Sequence, residues 1–156
     1  MNSKLKTFFI CVAIPLLVGI IAGLITSGSM DTYGQLQQPP LAPPGRIFPI
    51  VWTVLYTLMG IASYLVLTSD ADPTAKQNAL FVYGLQLAVN FIWPILFFSL
   101  EWYLFSFAWI ILLWVLILVT TAKFLQISTT AGLLMVPYLF WVIFAAYLNL
   151  GVYLLN

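Results

Sequence analysis

Long runs of apolar residues separated by polar gaps dominate the chain. Five of these runs approach the ~20 residues that a helix needs to cross the hydrocarbon core of a bilayer. The runs are continuous, whereas strands of a membrane β-barrel alternate between apolar and polar positions, so helices are favoured. The pattern predicts an all-α membrane protein, a five-transmembrane-helix bundle forming one domain over residues 1–156. The predicted spans are about 5–26, 47–67, 79–99, 103–122 and 130–154.

The gap at residues 27–46 is much longer than the others. It is rich in Gly, Gln and Pro, and the segment from Pro39 to Pro44 is expected to be extended, because a residue that precedes proline disfavours the helical conformation. Pro49 then falls in the first turn of the second helix, where its missing N–H costs nothing. A loop this long in a compact protein is typically functional or mobile. A stiff connector is the alternative interpretation.

Composition supports the membrane interpretation: 63% of residues are hydrophobic and 6% are charged, against roughly 25% charged in soluble domains. The net charge is +1 and there is no basic run, so nucleic acid is a poor partner. Cys11 is the single cysteine, which excludes an intrachain disulfide. The chain has no histidine, which excludes His-ligated metal or haem and a Ser-His-Asp triad. We expect no metal, no cofactor and no conventional hydrolytic catalysis.

The few basic residues predict the orientation. With five spans, the N-terminus and the second and fourth loops share one side, and they carry Lys4, Lys6, Lys76 and Lys123, whereas Arg46 lies on the opposite side. Positive charge is enriched in cytoplasmic loops. The N-terminus is therefore expected in the cytoplasm, with the long loop and the C-terminus outside, in a bacterial cell membrane. The first run is too long for a signal peptide and is interpreted as a retained span.

Three of the predicted helices carry aromatic and polar side chains on one face. Tryptophan has a polar N–H and asparagine a polar amide, and both need partners inside a bilayer. Asn90 lies near the middle of its span, so it should point inward, either as a link between helices or as a ligand contact. Pro94, one turn later, should kink the helix beside it. These faces are formed by Phe48, Trp52, Leu55, Tyr56, Met59 and Ser63; by Gln86, Asn90, Trp93 and Phe97; and by Pro137, Trp141, Ala145, Leu148 and Asn149.

The small residues suggest close helix packing. Gly19 and Gly23 form a GxxxG pair on the first span, suited to packing within the bundle or to dimerisation. Gly84 and Ala88 form a similar pair on the third span, on the face away from Trp93, which suggests a homodimer contact.

At this point the sequence resembles a known family. The segment Pro43–Gly60, the block Asn90-Phe-Ile-Trp93 and the block Pro137–Asn149 are similar to the three signature regions of the TspO/translocator protein family, also called tryptophan-rich sensory proteins or peripheral-type benzodiazepine receptors. The resemblance covers essentially the whole chain. It implies a five-helix bundle, usually dimeric, with a pocket that opens toward the first loop.

The resemblance also implies ligands and site residues. Family members bind porphyrins such as protoporphyrin IX, isoquinoline-carboxamide and benzodiazepine drugs and, in animals, cholesterol. The proline-rich loop would act as a lid over the pocket. The implied ligand-binding residues are Tyr33, Phe48, Trp52, Asn90, Trp93, Trp141, Ala145 and Leu148.

Two departures narrow these expectations. The family commonly has a Trp-x-Pro-Pro pattern in the first loop, where this chain has Leu41 and Ala42 before Pro43-Pro44. The animal cholesterol motif needs a basic residue after a tyrosine, and none follows Tyr153.

Three classes of function follow. The first is a receptor or binding protein for flat hydrophobic small molecules, above all tetrapyrroles such as protoporphyrin IX and haem precursors, with sensing or transport downstream and porphyrin as ligand rather than cofactor. The second is an enzyme that degrades porphyrin with light and oxygen. The third is a structural subunit in which the aromatic faces are only contacts between helices.

Overall fold

The computed structural model describes residues 2–156. Within them the chain forms six α-helices, with a 3-10 turn at Ser27–Ser29 and a π-helical turn at Ile95–Ser99. The α-helices are α1 (Ser3–Thr26), α2 (Met30–Gly34), α3 (Ile47–Leu67), α4 (Pro73–Pro94), α5 (Tyr103–Ile127) and α6 (Thr129–Leu155).

The outer surface of the bundle is apolar. Leu24, Phe81 and Leu154 are each 70% exposed, which water would penalise and lipid would not. Among the described residues, five helical segments are long and apolar enough to cross a membrane, and they contain α1, α3, α4, α5 and α6. The predicted all-α bundle of five spanning helices is therefore confirmed, and the chain is an integral membrane protein.

The five long helices form a ring in the order α1, α3, α6, α5, α4, which closes through contacts between α4 and α1. Its interior is filled by side chains such as Met59, Ile110, Met135 and Val142, none of which has any exposed surface. At one end of the bundle, called here the loop end, lie residues 27–46, the turn between α4 and α5, and the end of α6.

The helices extend beyond the predicted spans at the opposite end. Helix α4 begins at Pro73 because the Asp72 carboxylate accepts a hydrogen bond from the Ala75 N–H at 3.3 Å and caps the helix. The polar gap between the predicted spans 103–122 and 130–154 is mostly helical: α5 continues to Ile127, and Ser128 alone separates it from α6. Lysine and glutamine are good helix formers, so a polar stretch ends the hydrocarbon-spanning part without ending the helix.

Pro94 changes the type of helix. The regular α-helical pattern of α4 ends there, and the next turn is π-helical, with the Leu100 N–H donating to the Ile95 carbonyl at 2.9 Å. A proline lacks the N–H that would continue the α-helical ladder, and a single turn next to an α-helix is the usual form of the rare π-helix. The predicted distortion at Pro94 therefore takes the form of a π-turn.

Glycines set the contact between α1 and α3. A Cβ atom at Gly60 would lie 2.6 Å from the Cα of Val12, so the two backbones touch at this point. Gly19 leaves room for the ring of Tyr56, since a Cβ there would be 2.7 Å from Tyr56 Cδ2. Gly19 thus serves packing within the bundle, one of the two alternatives for its motif. Gly84 and Ala88 are exposed on the outer surface, and a homodimer through them stays a prediction.

Candidate ligand-binding site

Aromatic side chains from α3 and α6 meet inside the ring of helices. Trp52 stacks on Tyr56 with ring centroids 5.5 Å apart, and its ring meets Trp141 edge-to-face at 6.4 Å. Phe48 meets Trp141 edge-to-face at 5.9 Å. Such pairs are favourable between 4.5 and 7 Å. We call Phe48, Trp52, Tyr56, Tyr138 and Trp141 the Trp52 cluster; its rings are joined by these pairwise contacts and by one between Trp52 and Tyr138.

A polar network fixes one side of the Trp52 cluster. The Tyr56 hydroxyl donates to the Asn90 side-chain oxygen at 2.8 Å, and the Asn90 amide donates to the Tyr138 hydroxyl. Tyr138 donates in turn to the Gln86 side-chain oxygen at 2.8 Å. Buried polar groups in a bilayer need such partners. The network therefore connects α3, α4 and α6 and fixes the tyrosine rings against Trp52.

Trp141 differs from the network residues. Its indole N–H is buried and has no hydrogen-bond partner. The indole N–H groups of Trp93, Trp109 and Trp114 donate to Asn149, the Val89 carbonyl and the Leu139 carbonyl at 3.0, 2.9 and 3.2 Å. A buried donor without an acceptor costs about 1–3 kcal/mol. Trp141 therefore presents an unused donor inside an aromatic cluster.

A second group of aromatic rings lies at the loop end. Trp93 stacks on Phe97 at 5.2 Å, and Tyr33 meets Phe98 edge-to-face at 5.0 Å. Phe97 contacts both Phe98 at 4.9 Å and Tyr103 at 5.1 Å. We call Tyr33, Trp93, Phe97, Phe98 and Tyr103 the Trp93 cluster. The π-turn carries Phe97 and Phe98, so the distortion at Pro94 places these rings under Tyr33.

Helix α6 connects the two clusters. Trp141 belongs to the Trp52 cluster, and Asn149 accepts the hydrogen bond from Trp93. Ala145 and Leu148, both 5% exposed, follow Trp141 at helical spacing and lie between these two positions along α6. The eight residues predicted from the sequence thus fall into two adjacent groups linked by α6, and their role in binding a ligand stays a prediction.

The loop is held against α6 by three contacts. The Tyr147 hydroxyl donates to the Pro40 carbonyl at 2.6 Å. The Asn156 side chain pairs with the backbone of Gln37, accepting from its N–H and donating to its carbonyl, each at 3.0 Å. Gly151 provides room for the Pro39 ring, because a Cβ atom at this glycine would overlap it. We call these three contacts the loop latch.

Leu41 is the most exposed large hydrophobic residue of the loop. Leu41, which stands where the family pattern has tryptophan, is 83% exposed and has a φ of 72°. The loop is also less irregular than its composition suggested, since residues 27–34 continue helically from α1 through a 3-10 turn into α2. This continuation places Tyr33 above Phe97 and Phe98.

Sequence reasoning missed Tyr138 and the loop latch. Tyr138 precedes Trp141 by three residues and therefore shares its helix face, so helical spacing alone could have added Tyr138 to the predicted site. The latch partners are more than one hundred positions apart in the chain and are backbone groups in part, so no local pattern marks them.

Fold and site together define the class: an integral membrane bundle of five helices with two inward-facing aromatic clusters beneath a proline-rich loop. The family model described as TspO/MBR family matches residues 11–155. The tryptophan-rich protein TspO of Chlorobaculum tepidum is 35% identical, over 100% of this chain and 99% of that protein. Protein CrtK of Rhodobacter capsulatus is 36% identical over 80% of this chain and 78% of its own. The translocator protein of Ovis aries is 37% identical over 75% of this chain and 70% of that protein.

The chain belongs to the TspO/MBR family. The resemblance of its three signature regions to this family is confirmed.

Proposed function

We propose that this protein is a membrane receptor that binds flat hydrophobic molecules in the Trp52 cluster, with porphyrins such as protoporphyrin IX as the preferred class. Isoquinoline-carboxamide and benzodiazepine-type drugs have the same flat aromatic character. The observation that carries the proposal is the buried, unpartnered indole N–H of Trp141. A ligand carbonyl or carboxylate would satisfy this donor, and stacking on indole rings would contribute about 1 kcal/mol for each ring beyond area burial.

The site must open to admit such a ligand. The rings of Phe48, Trp52 and Trp141 contact one another, so a flat molecule enters by separating them. Because Phe48 is near the beginning of α3, directly after the proline-rich loop, release of the loop latch would free this side of the cluster. The loop then serves as a lid, with Tyr33 and the Trp93 cluster closing the neighbouring side.

The names of the relatives, tryptophan-rich sensory protein and translocator protein, fit a protein whose bound state is sensed or whose ligand is moved. A bacterial cell membrane with the N-terminus in the cytoplasm completes the proposal. The orientation is supported by the charges: Lys4, Lys6, Lys76 and Lys123 lie on the side of the N-terminus, whereas Arg46 alone lies beside the long loop.

Titration of the purified protein with protoporphyrin IX tests the proposal. We expect saturable quenching of tryptophan fluorescence that weakens in Trp52→Ala and in Asn90→Ala, because the first loses the stacking ring and the second loosens its support. Trp102→Ala, which removes a 54% exposed ring outside both clusters, is the matched control and should bind like the parent. Equal affinity in all four proteins would refute the assignment of the site.

A second function, degradation of porphyrin, is suggested by a group of oxidisable rings. Trp52 stacks on Tyr56, and Tyr56 is connected through Asn90 to Tyr138 by hydrogen bonds. Indole and phenol groups in contact can be oxidised, which suits light- and oxygen-dependent degradation of a bound porphyrin. Illumination with excess protoporphyrin IX distinguishes the two functions. More than one turnover per protein with a defined product would establish an enzyme, whereas bleaching equal to that of free tryptophan would leave binding alone.

A further inference from the structure

A groove of about 710 Å³ opens at the loop end of the bundle, between the turn that joins α4 to α5 and the end of α6. Its lining combines the aromatic side chains of Trp102, Tyr103, Phe105 and Tyr153 with the carboxylate of Glu101. Only Tyr103 belongs to the Trp93 cluster, and no residue of the Trp52 cluster lines the groove. Asn156 of the loop latch also lines the groove, so the groove adjoins the lid of the ligand site proposed above but shares no residue with the Trp52 cluster.

Glu101 is the single charged side chain in the groove lining. At the same end of the bundle, Arg46 precedes α3 and is not part of this lining. A carboxylate beside apolar and aromatic surface attracts a cation more strongly than it would in open water, because the effective dielectric constant is lower there. The lining thus provides one exposed negative charge and no cationic side chain.

The backbone of Glu101 has an unfavourable conformation. Glu101 has a φ of 58°, in the left-handed region that glycine and asparagine adopt more readily. The turn around it is fixed by backbone hydrogen bonds from Leu100 to Ile95 at 2.9 Å and from Trp102 to Leu96 at 3.0 Å. Residues kept in such conformations tend to cluster at functional sites. A glutamate here, rather than a glycine, gives the turn a charge that its geometry does not require.

The groove lies at the ends of two spanning helices, α5 and α6. Trp102 is the last residue before α5 and is 54% exposed, and Tyr153 is near the end of α6 and is 41% exposed. Aromatic side chains with a polar edge prefer this boundary between hydrocarbon and water. Next to them, Leu104 and Leu154 are 53% and 70% exposed, so the groove continues onto an apolar surface that would face acyl chains.

We infer that this groove binds the ammonium headgroup of a phospholipid, with the chemistry of phosphatidylethanolamine. The ammonium donates hydrogen bonds to the Glu101 carboxylate and lies against the faces of Trp102 and Tyr153, where the ring quadrupole attracts a cation. The acyl chains follow the apolar surface of Leu104 and Leu154. A phospholipid with an anionic headgroup and no ammonium, such as phosphatidylglycerol, is disfavoured by repulsion from Glu101.

Native mass spectrometry of the purified protein, titrated with phosphatidylethanolamine and with phosphatidylglycerol of the same acyl chains, tests this inference. We expect the protein to prefer phosphatidylethanolamine. Glu101→Gln should lower the affinity for phosphatidylethanolamine about twofold to fivefold, the range expected for loss of an exposed ion pair. It should not weaken binding of phosphatidylglycerol.

The matched control is Asp31→Asn, which removes an exposed carboxylate at the same end of the bundle but outside the groove. This variant should keep the parent's preference. Trp102→Leu should lower the affinity for phosphatidylethanolamine as Glu101→Gln does, with an unchanged melting temperature. The inference is overturned if the parent protein shows no preference between the two lipids, or if Glu101→Gln keeps the full preference.

Discussion

The Tyr56 hydroxyl donates a 2.8 Å hydrogen bond to the side-chain oxygen of Asn90 in the middle of the bundle. From the sequence, Asn90 was equally suited to linking helices and to contacting a ligand. Its contacts with Tyr56 and Tyr138 make it a link between α3, α4 and α6 in this structure, and direct ligand contact stays a prediction. The bond also orients the Tyr56 ring on which Trp52 stacks.

The hydrogen-bond network around Asn90 should contribute measurably to the free energy of unfolding. Asn90→Ala leaves the hydroxyls of Tyr56 and Tyr138 without these partners, and we expect a loss of about 1–2 kcal/mol in the free energy of unfolding. Denaturation of the protein in detergent, followed by circular dichroism, measures this loss. Asn78→Ala changes an exposed asparagine at the opposite end and should have no such effect. Equal stability of the two variants would show that the network contributes nothing.

Two tryptophans that differ in one hydrogen bond form a matched pair. Both Trp141→Phe and Trp93→Phe lose the same ring volume, but Trp141→Phe removes an unpartnered N–H, and its porphyrin affinity should fall about fivefold, as expected for one lost hydrogen bond of ~1 kcal/mol. Trp93→Phe removes the donor to Asn149, so its stability should fall by about 1 kcal/mol more than that of Trp141→Phe. Thermal melting and porphyrin titration of both variants check this. A loss of stability in Trp141→Phe as large as that in Trp93→Phe would contradict the assignment of a free donor.

A substitution at Ala145 distinguishes the two interpretations of the aromatic faces, a binding site or a simple contact between helices. In the proposed site, Ala145→Leu places a bulkier side chain next to Trp141 and should abolish most porphyrin binding while the protein still folds. If the aromatic faces are only packing surfaces, overfilling this 5% exposed position should instead cost about 1–3 kcal/mol in stability. Gel filtration and thermal melting, together with porphyrin titration, distinguish the two outcomes.

Gly60 should tolerate no side chain. Gly60→Ala would bring a Cβ atom to 2.6 Å from the Cα of Val12, forcing α1 and α3 apart at a cost of about 1–3 kcal/mol. Gly84→Ala is the control, because nothing lies within 4 Å of that position; it should be neutral or stabilising by up to ~1 kcal/mol, since alanine favours helix more than glycine. The melting temperatures of both variants, compared with that of the parent protein, test this prediction. A neutral Gly60→Ala would mean that the two backbones are not in contact.

The loop latch should control the rates of ligand binding. Tyr147→Phe removes the donor to the Pro40 carbonyl, which shifts the opening equilibrium by ~1 kcal/mol or about fivefold. We expect porphyrin to bind and dissociate several times faster, with a small change in equilibrium affinity, in stopped-flow fluorescence. Tyr153→Phe, which changes a tyrosine on α6 outside the latch, should leave both rates unchanged. Unchanged rates in Tyr147→Phe would rule out the loop as a lid.

The sequence by itself determined the five spanning helices and the inward faces of three of them. The reason is that a bilayer requires continuous apolar runs and internally satisfied backbones, and helical spacing places Trp52 and Tyr56, or Trp141 and Ala145, on common faces. Helix ends were harder to predict, because a polar stretch such as residues 123–127 leaves the hydrocarbon without leaving the helix.

Only the tertiary structure decided how those faces meet. It divided the predicted site into the Trp52 and Trp93 clusters, because the π-turn after Pro94 directs Phe97 and Phe98 toward Tyr33. It also gave Trp93 a partner in Asn149 and left Trp141 without one. Such pairings join residues far apart in the chain, and several use backbone carbonyls that every residue has. Local sequence patterns carry no record of them, so the bundle itself determines which donors remain for a ligand.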